Sequence, residues 1–235
     1  MNVVNFDLPK DPNTMKINPL YPKRPFRMIM VGKSGSGKTT ILLNLVTQYD
    51  LFDKFYMYTR HINQEKYVQL KEIFTAINED ENLDGIVNKP VDYWSTTSKD
   101  MIPIEKLDKS QNNVIVFDDL LTENQQSMID AFIAGRQGNA SVIYLTQSYF
   151  DVPKTIRLQA NIFLFFNCPN KTEARRIASE HSIDFDKDTF YEIWREATKD
   201  EFGFFYYSTD EKRIPLKYRK NFDGLLWDLP DENKK

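Results

Sequence analysis

Short apolar runs separated by amphipathic stretches set the pattern of the chain from Phe26 onward. Residues 26–31, 55–59, 91–94, 114–117, 142–145 and 162–166 are largely apolar or aromatic, broken only by Arg27, Thr59 and Asp92. That is the pattern of strands buried on both faces. Between them, residues 40–49 carry Ile41, Leu42, Leu45 and Val46 at helical spacing, and residues 64–77 put Tyr67, Leu70, Ile73, Phe74 and Ile77 on one face. Residues 124–134, 171–181 and 188–198 read as further helices, and 78–84 as an acidic loop. Strands alternating with helices predict an α/β fold: a mainly parallel sheet with helices on both faces. Residues 1–25 hold Pro9, Pro12, Pro19, Pro22 and Pro25 among polar neighbours and predict an extended N-terminal arm. The core then spans 26–200. Residues 201–235 form a C-terminal β-hairpin and tail, with 204–207 pairing 213–216 around Thr209 and Asp210.

Composition narrows the chemistry. The chain has 235 residues, 41% hydrophobic and 28% charged, with a formal charge of −3. It is no polycation, which counts against a simple nucleic-acid coat protein. Cys168 is the single cysteine, so no internal disulfide forms, and with only His61 and His181 a Cys/His zinc site is not expected. Any metal should be a hard ion bound by oxygen. No basic start with an apolar run and no apolar stretch of membrane-spanning length is present, so the expected compartment is the cytosol or nucleus.

The strongest motif follows the first strand. Gly32-Lys33-Ser34-Gly35-Ser36-Gly37-Lys38-Thr39 fits G-x-x-x-x-G-K-[ST], the phosphate-binding loop. Its glycines let the backbone turn so that N–H groups face phosphates. Lys38 would reach the β- and γ-phosphates of ATP, Thr39 would ligate Mg²⁺, and Thr40 continues the cradle at a helix N-terminus. The strand at 114–117 runs into Asp118 and Asp119. An acid at such an edge holds Mg²⁺, and a second acid there polarises water; Asp118 takes the first role and Asp119 the second. Gln147 ends the strand at 142–145 and could reach the γ-phosphate or the lytic water. Hydrolysis also needs added positive charge, worth about 10³–10⁵ in rate when an arginine supplies it. Arg136, just before that strand, and Arg157, just after it, are the candidates.

The order of the loop, Asp118-Asp119, then Gly135-Arg136 and Val142-Ile143-Tyr144-Leu145-Thr146-Gln147-Ser148 resembles the FtsK–HerA superfamily of DNA-pumping ATPases. The stretch Tyr144-Leu145-Thr146-Gln147-Ser148-Tyr149-Phe150-Asp151-Val152-Pro153-Lys154-Thr155-Ile156-Arg157 is similar, more narrowly, to the genome-packaging ATPases of poxviruses, other large eukaryotic DNA viruses and virophages. The similarity covers roughly residues 26–170. It implies a RecA-like (ASCE) P-loop sheet in which the Gln147 strand lies between the Walker A and Walker B strands. It further implies a homo-oligomeric ring, a pentamer or hexamer, with ATP at subunit interfaces, Gln147 as polar sensor and Arg136 reaching into a neighbour's site. The implied task is pushing double-stranded DNA into a preformed capsid, touching its vertex proteins, in the viral factory of the host cytoplasm or in the nucleus, or in association with the virion. Many superfamily members carry Asp-Glu where this chain has Asp118-Asp119; the viral group often has Asp-Asp, which reads as a shorter base.

A pump needs releasable contacts with the DNA backbone and no base readout. Candidates are Lys154 with Arg157, Arg175 with Arg176, and Lys212, Arg213, Lys217, Arg219 and Lys220. Two other functions share the loop: a nucleoside or small-molecule kinase, and a non-motor NTP-dependent assembly switch. No arginine-rich lid supports the kinase, and tandem acids with a strand-end Gln favour hydrolysis.

Overall fold

The computed structural model describes residues 20–48, 52–81 and 89–226. Most of the expected arm (1–19), the end of the tail (227–235) and residues 82–84 of the acidic loop lie outside them. The apolar runs do become strands: β1 (Arg27–Val31), β2 (Lys54–Thr59), β3 (Val91–Ser95), β4 (Asn113–Asp118), β5 (Ala140–Thr146) and β6 (Ile162–Phe166). Together with β7 (Phe204–Ser208), β8 (Tyr218–Lys220) and β9 (Gly224–Leu225) they make one sheet in the order β3-β2-β4-β5-β1-β6-β7-β8-β9. Pairing is parallel from β3 to β6 and antiparallel from β6 to β9. The strand leading to Gln147, β5, does lie between β4 and β1, as the resemblance implies.

Period-two alternation divides the core between the two faces. Ile29, Val31, Ile115, Phe117, Val142 and Tyr144 face a layer built by α3 (Gln126–Ala134), α4 (Lys154–Gln159), α5 (Lys171–His181) and α6 (Lys187–Ala197). Met28, Met30, Val114, Val116, Ile143 and Leu145 face α1 (Lys38–Gln48) and α2 (Glu65–Glu79). Each such apolar side chain contributes about 1.5–3 kcal/mol on burial. Helix starts follow local chemistry: Asn170 caps α5 through Thr172 and Glu173 N–H groups, and Asp186 caps α6 through Asp188 and Thr189.

The C-terminal hairpin departs from expectation in its second strand. Residues 214–217 form a short helix, α7 (Ile214–Lys217), and β8 follows it to pair Tyr207 with Tyr218 and Phe205 with Lys220. Pro215 explains the shift, because it cannot donate to a sheet ladder yet fits a first helical turn. The hairpin also extends the core sheet through β6–β7 pairing. The last residues of the arm lie on this region: Leu20 O accepts from Arg219, and the Tyr21 ring lies 5.3 Å from Phe222.

The end of α5 carries a buried polar group. His181 sits among Phe163, Phe165, Phe190 and Tyr207, with Nε2 2.7 Å from the Tyr149 hydroxyl. That hydroxyl donates to Glu180 at 2.8 Å, which leaves its oxygen to accept from Nε2–H of His181. Burial, helped by the charge of Arg157, pushes its pKa down from 6.5 to about 3. The unfolded chain therefore binds a proton that the folded chain refuses. Stability from this group is complete above pH 6.5 and is lost as pH falls toward 3. Urea unfolding should show a loss of about 2 kcal/mol between pH 7.5 and pH 5, and His181→Phe should flatten that slope. An unchanged slope in the variant would reassign the acid sensitivity to other groups.

Candidate functional site

One cleft of about 690 Å³ opens at the C-terminal ends of the parallel strands. Register sets its floor. Val31 stands beside Thr146, Leu145 beside Asp118, and Asp118 beside Thr59, so the chain leaves β1, β5, β4 and β2 at nearly one level. This is the crevice where open α/β sheets bind ligands. Ser34, Gly35, Ser36, Gly37, Lys38 and Thr39 line it, facing Asp118, Asp119 and Gln147. Gly32, Lys33 and Thr40 are not among the lining residues, and Lys33 and Thr40 are exposed.

The loop's shape requires its glycines at particular points. Gly35 and Gly37 have φ of +75° and +100°, which side chains other than glycine adopt at a cost. A Cβ on Gly32 would stand 2.5 Å from Ser36 Oγ and 2.7 Å from Phe166 Cβ. The loop runs into α1, whose first turn leaves N–H groups without intrahelical acceptors and adds its positive dipole end. The Ser36 hydroxyl is buried with no hydrogen-bond partner among the described residues. Free amides, an orphan hydroxyl and a lysine at a helix start make a receptor for an anion such as a polyphosphate. Lys38 donates to the carbonyls of Gly32 and Lys33, the latter at 3.0 Å. Burial lowers its pKa, and the charges of Asp118 and Asp119 work in the opposite direction.

The two acids differ. Asp118 ends β4, and its Oδ2 accepts a 2.7 Å hydrogen bond from Tyr67 on α2. Burial raises its pKa, and the neighbouring charge of Asp119 adds to this against the Tyr67 hydrogen bond, Lys38 and His61. A carboxylate that is costly to ionise, close to the Thr39 hydroxyl through the shared Tyr67 partner, suits a hard cation. Asp119 is partly exposed and turns the chain out of the strand with φ of 55°, a conformation Asp tolerates better than most residues. Its Oδ2 lies 2.8 Å from His61 Nε2. Gln147 is exposed at the end of β5.

Several lining residues carry no motif: Arg60, His61, Asn63, Gln64, Lys66 and Phe202. The first four follow β2, so only its pairing with β4 brings them to the site. A polar pair directly after an apolar strand, Arg60-His61, was the available signal. Arg60 lies 3.7 Å from Glu123. Burial opposes that carboxylate's charge, but hydrogen bonds from Ser98 and Thr97 outweigh it and hold its pKa below the ordinary value. Lys66 donates to the Thr40 hydroxyl.

The two candidate arginines lie elsewhere. Arg136 sits in a 3₁₀ turn (Gly135–Gly138) just before β5, while the loop follows the far end of β1. The length of β5, on the order of 20 Å, separates them. Arg136 is 61% exposed, with Asp210 at 4.0 Å as its ion-pair partner. Arg157 has a side chain only 10% exposed, 3.4 Å from Glu180 and stacked over Tyr149 and Phe150. It braces the segment after Gln147 against α5 and could reach a second subunit only by breaking those contacts.

The family model for the Poxvirus A32 protein matches residues 16–199. The DNA packaging protein OPG160 of variola virus is 30% identical over 151 residues, covering 62% of this chain and 54% of the relative. The DNA packaging protein OPG160 of vaccinia virus (strain Copenhagen) gives the same figures. The chain thus spans about half the length of the curated relatives it matches. Among solved structures, the genome packaging NTPase B204 from Sulfolobus turreted icosahedral virus 2 in complex with ATP-gammaS aligns with a TM-score of 0.53 at 14% identity, over 79% of this chain and 93% of that one. B204, the DNA-packaging ATPase from Sulfolobus turreted icosahedral virus, aligns with a TM-score of 0.53 at 15% identity, over 78% and 92%. At such identities the likeness is one of fold, that of a P-loop ATPase.

Asp118 offers a direct test of the site's electrostatics. Asp118→Asn keeps an acceptor for Tyr67 and removes a half-buried charge facing Asp119. The ligand-free variant should melt higher by a few degrees, at roughly 2–4 °C per kcal/mol for a chain of this size. A lower melting temperature would mean that the ionised acid stabilises the fold through Tyr67.

Proposed function

The chain belongs to the Poxvirus A32 protein family, and on that premise we propose that it hydrolyses ATP to drive double-stranded DNA into a viral capsid. The observation that carries this reading is the convergence of the 34–39 loop with Asp118, Asp119 and Gln147 in one cleft. Loop amides, the Ser36 hydroxyl and Lys38 bind the phosphates, Lys38 exchanging the carbonyls of Gly32 and Lys33 for phosphate oxygens. Thr39 and the half-buried Asp118 would hold Mg²⁺, which would supply charge that steadies the β- and γ-phosphate oxygens. Asp119 takes the proton of the attacking water as the bond from the γ-phosphorus to its bridging oxygen breaks. His61 orients that carboxylate, and Gln147 holds the water or a γ-phosphate oxygen.

Arg136 completes the site from a neighbouring copy. Its place at the opposite strand end and its exposure support action in trans within a ring of pentamer or hexamer type, as FtsK–HerA members form. Contacts with DNA fall to exposed cations outside ion pairs. Lys217 pairs with Asp184, Lys220 with Asp200, Arg213 with Glu211 and Arg175 with Asp188. Arg219 is buried, donating to the Leu20 and Phe222 carbonyls. Lys154, Arg176 and Lys212 are exposed and form no ion pair among the described residues. They are the proposed backbone contacts. The reading carries a site of action in the host cytoplasm and contact with the capsid.

Steady-state ATPase rates with and without linear double-stranded DNA test the proposal. Stimulation by DNA is expected. Lys38→Ala should lose nucleotide binding, whereas Asp119→Asn should bind ATP and turn over at least about 10²-fold more slowly. DNA-independent phosphate transfer to a nucleoside would overturn the motor in favour of a kinase.

Subunit mixing tests the arginine. Arg136→Ala and Lys38→Ala, each inactive alone, should recover part of the activity when combined, since one contributes an intact loop and the other an intact arginine. No recovery at any ratio would argue against Arg136 acting in trans.

A further inference from the structure

Phe202 has no evident structural reason to be where it is. It follows α6, precedes β7, and its side chain is 57% exposed, so the fold gains little by burying it. Its φ is 62°, a left-handed conformation that is a real outlier for a bulky residue. The turn that presents it is tied down. Gly203 N–H donates to Asp200 O at 3.0 Å, and Asp200 pairs with Lys220 of β8. A fixed, strained and exposed ring therefore stands at the rim of the cleft, against the phosphate loop: a Cβ on Gly37 would meet Phe202 Cδ1 at 3.2 Å.

Sheet order says which part of a nucleotide would reach it. Asp118, Asp119 and Gln147 leave β4 and β5, on one side of β1, whereas Phe202 leads into β7, on the other side beyond β6. A triphosphate whose terminal phosphate faces the acids runs along the loop toward β6 and β7 and carries its nucleoside last. We propose that Phe202 is the stacking platform for the nucleobase, which rests on the nucleotide reading of the cleft above. A ring face offers every base a π surface without hydrogen-bond readout, so the platform selects by stacking area and favours purines over pyrimidines.

Affinities of the full chain for Mg²⁺-ATP and for Mg²⁺-tripolyphosphate, which lacks a base, separate the possibilities. Phe202→Gly removes the ring at a φ that glycine adopts freely. It should weaken ATP about tenfold or more, leave tripolyphosphate unchanged, and narrow the gap between ATP and CTP. Phe202→Trp should retain ATP affinity, its fluorescence quenched by ATP and not by tripolyphosphate. Equal losses for both ligands would reduce Phe202 to a prop for the Gly37 turn and overturn the proposal. So would unchanged ATP affinity, including the case where only self-association shifts and the ring is covered by a second copy. A wild-type chain that binds tripolyphosphate no better than it binds sulfate would overturn the nucleotide reading itself.

Discussion

The parallel pairing of β5 with β1 on one side and β4 on the other governs the geometry of the whole cleft. Val31 beside Thr146 and Leu145 beside Asp118 mean that the phosphate loop, the strand-end glutamine and the paired acids all emerge together. A slip of one residue in either pairing would turn every core side chain of that strand to the wrong face. Alternation of Ile29 and Val31 with Met28 and Met30 between two apolar layers resists that slip. Site geometry is thus a by-product of core packing, and the cleft inherits its rigidity from residues that never touch a ligand.

Within the cleft, local preference gives way. Gly35, Gly37, Asp119 and Phe202 all have positive φ, and Asp118 is a carboxylate whose ionisation burial opposes. Such departures concentrate at functional sites, where the surrounding fold holds them in place. Here the restraint is identifiable: the Tyr67 hydrogen bond on Asp118, the His61 contact on Asp119, and the Asp200–Gly203 turn under Phe202.

The central strands were readable because each is built on an apolar run, and the loop because its glycines and Lys38 have few other uses at that spacing. Asp118, Asp119 and Gln147 were readable because they follow such runs. Tyr67 was legible only as a core residue; its hydroxyl matters because α2 packs beside β4, a tertiary fact. Arg60 and His61 depended on β2 pairing with β4. The short α4 escaped because six residues carry too little periodicity, and its start after Pro153 resembles any turn. Arg157 drew attention as a free charge, whereas Tyr149, Phe150 and Glu180 enclose it. The C-terminal pairing was misplaced by the length of α7 because aromatic runs alone do not fix register.

The separation of Arg136 from the phosphate loop gives the subunit a direction. On the proposed reading, one end of β5 donates an arginine and the other accepts one, so the donating end of one copy must meet the accepting end of another. A two-fold dimer could serve both clefts only with the two copies of β5 antiparallel, each donating end set against the partner's cleft. An open row of subunits always has one cleft unserved at its end. For subunits that all point the same way, circular closure gives every nucleotide its second guardian, and a single defective copy then silences a neighbour as well as itself.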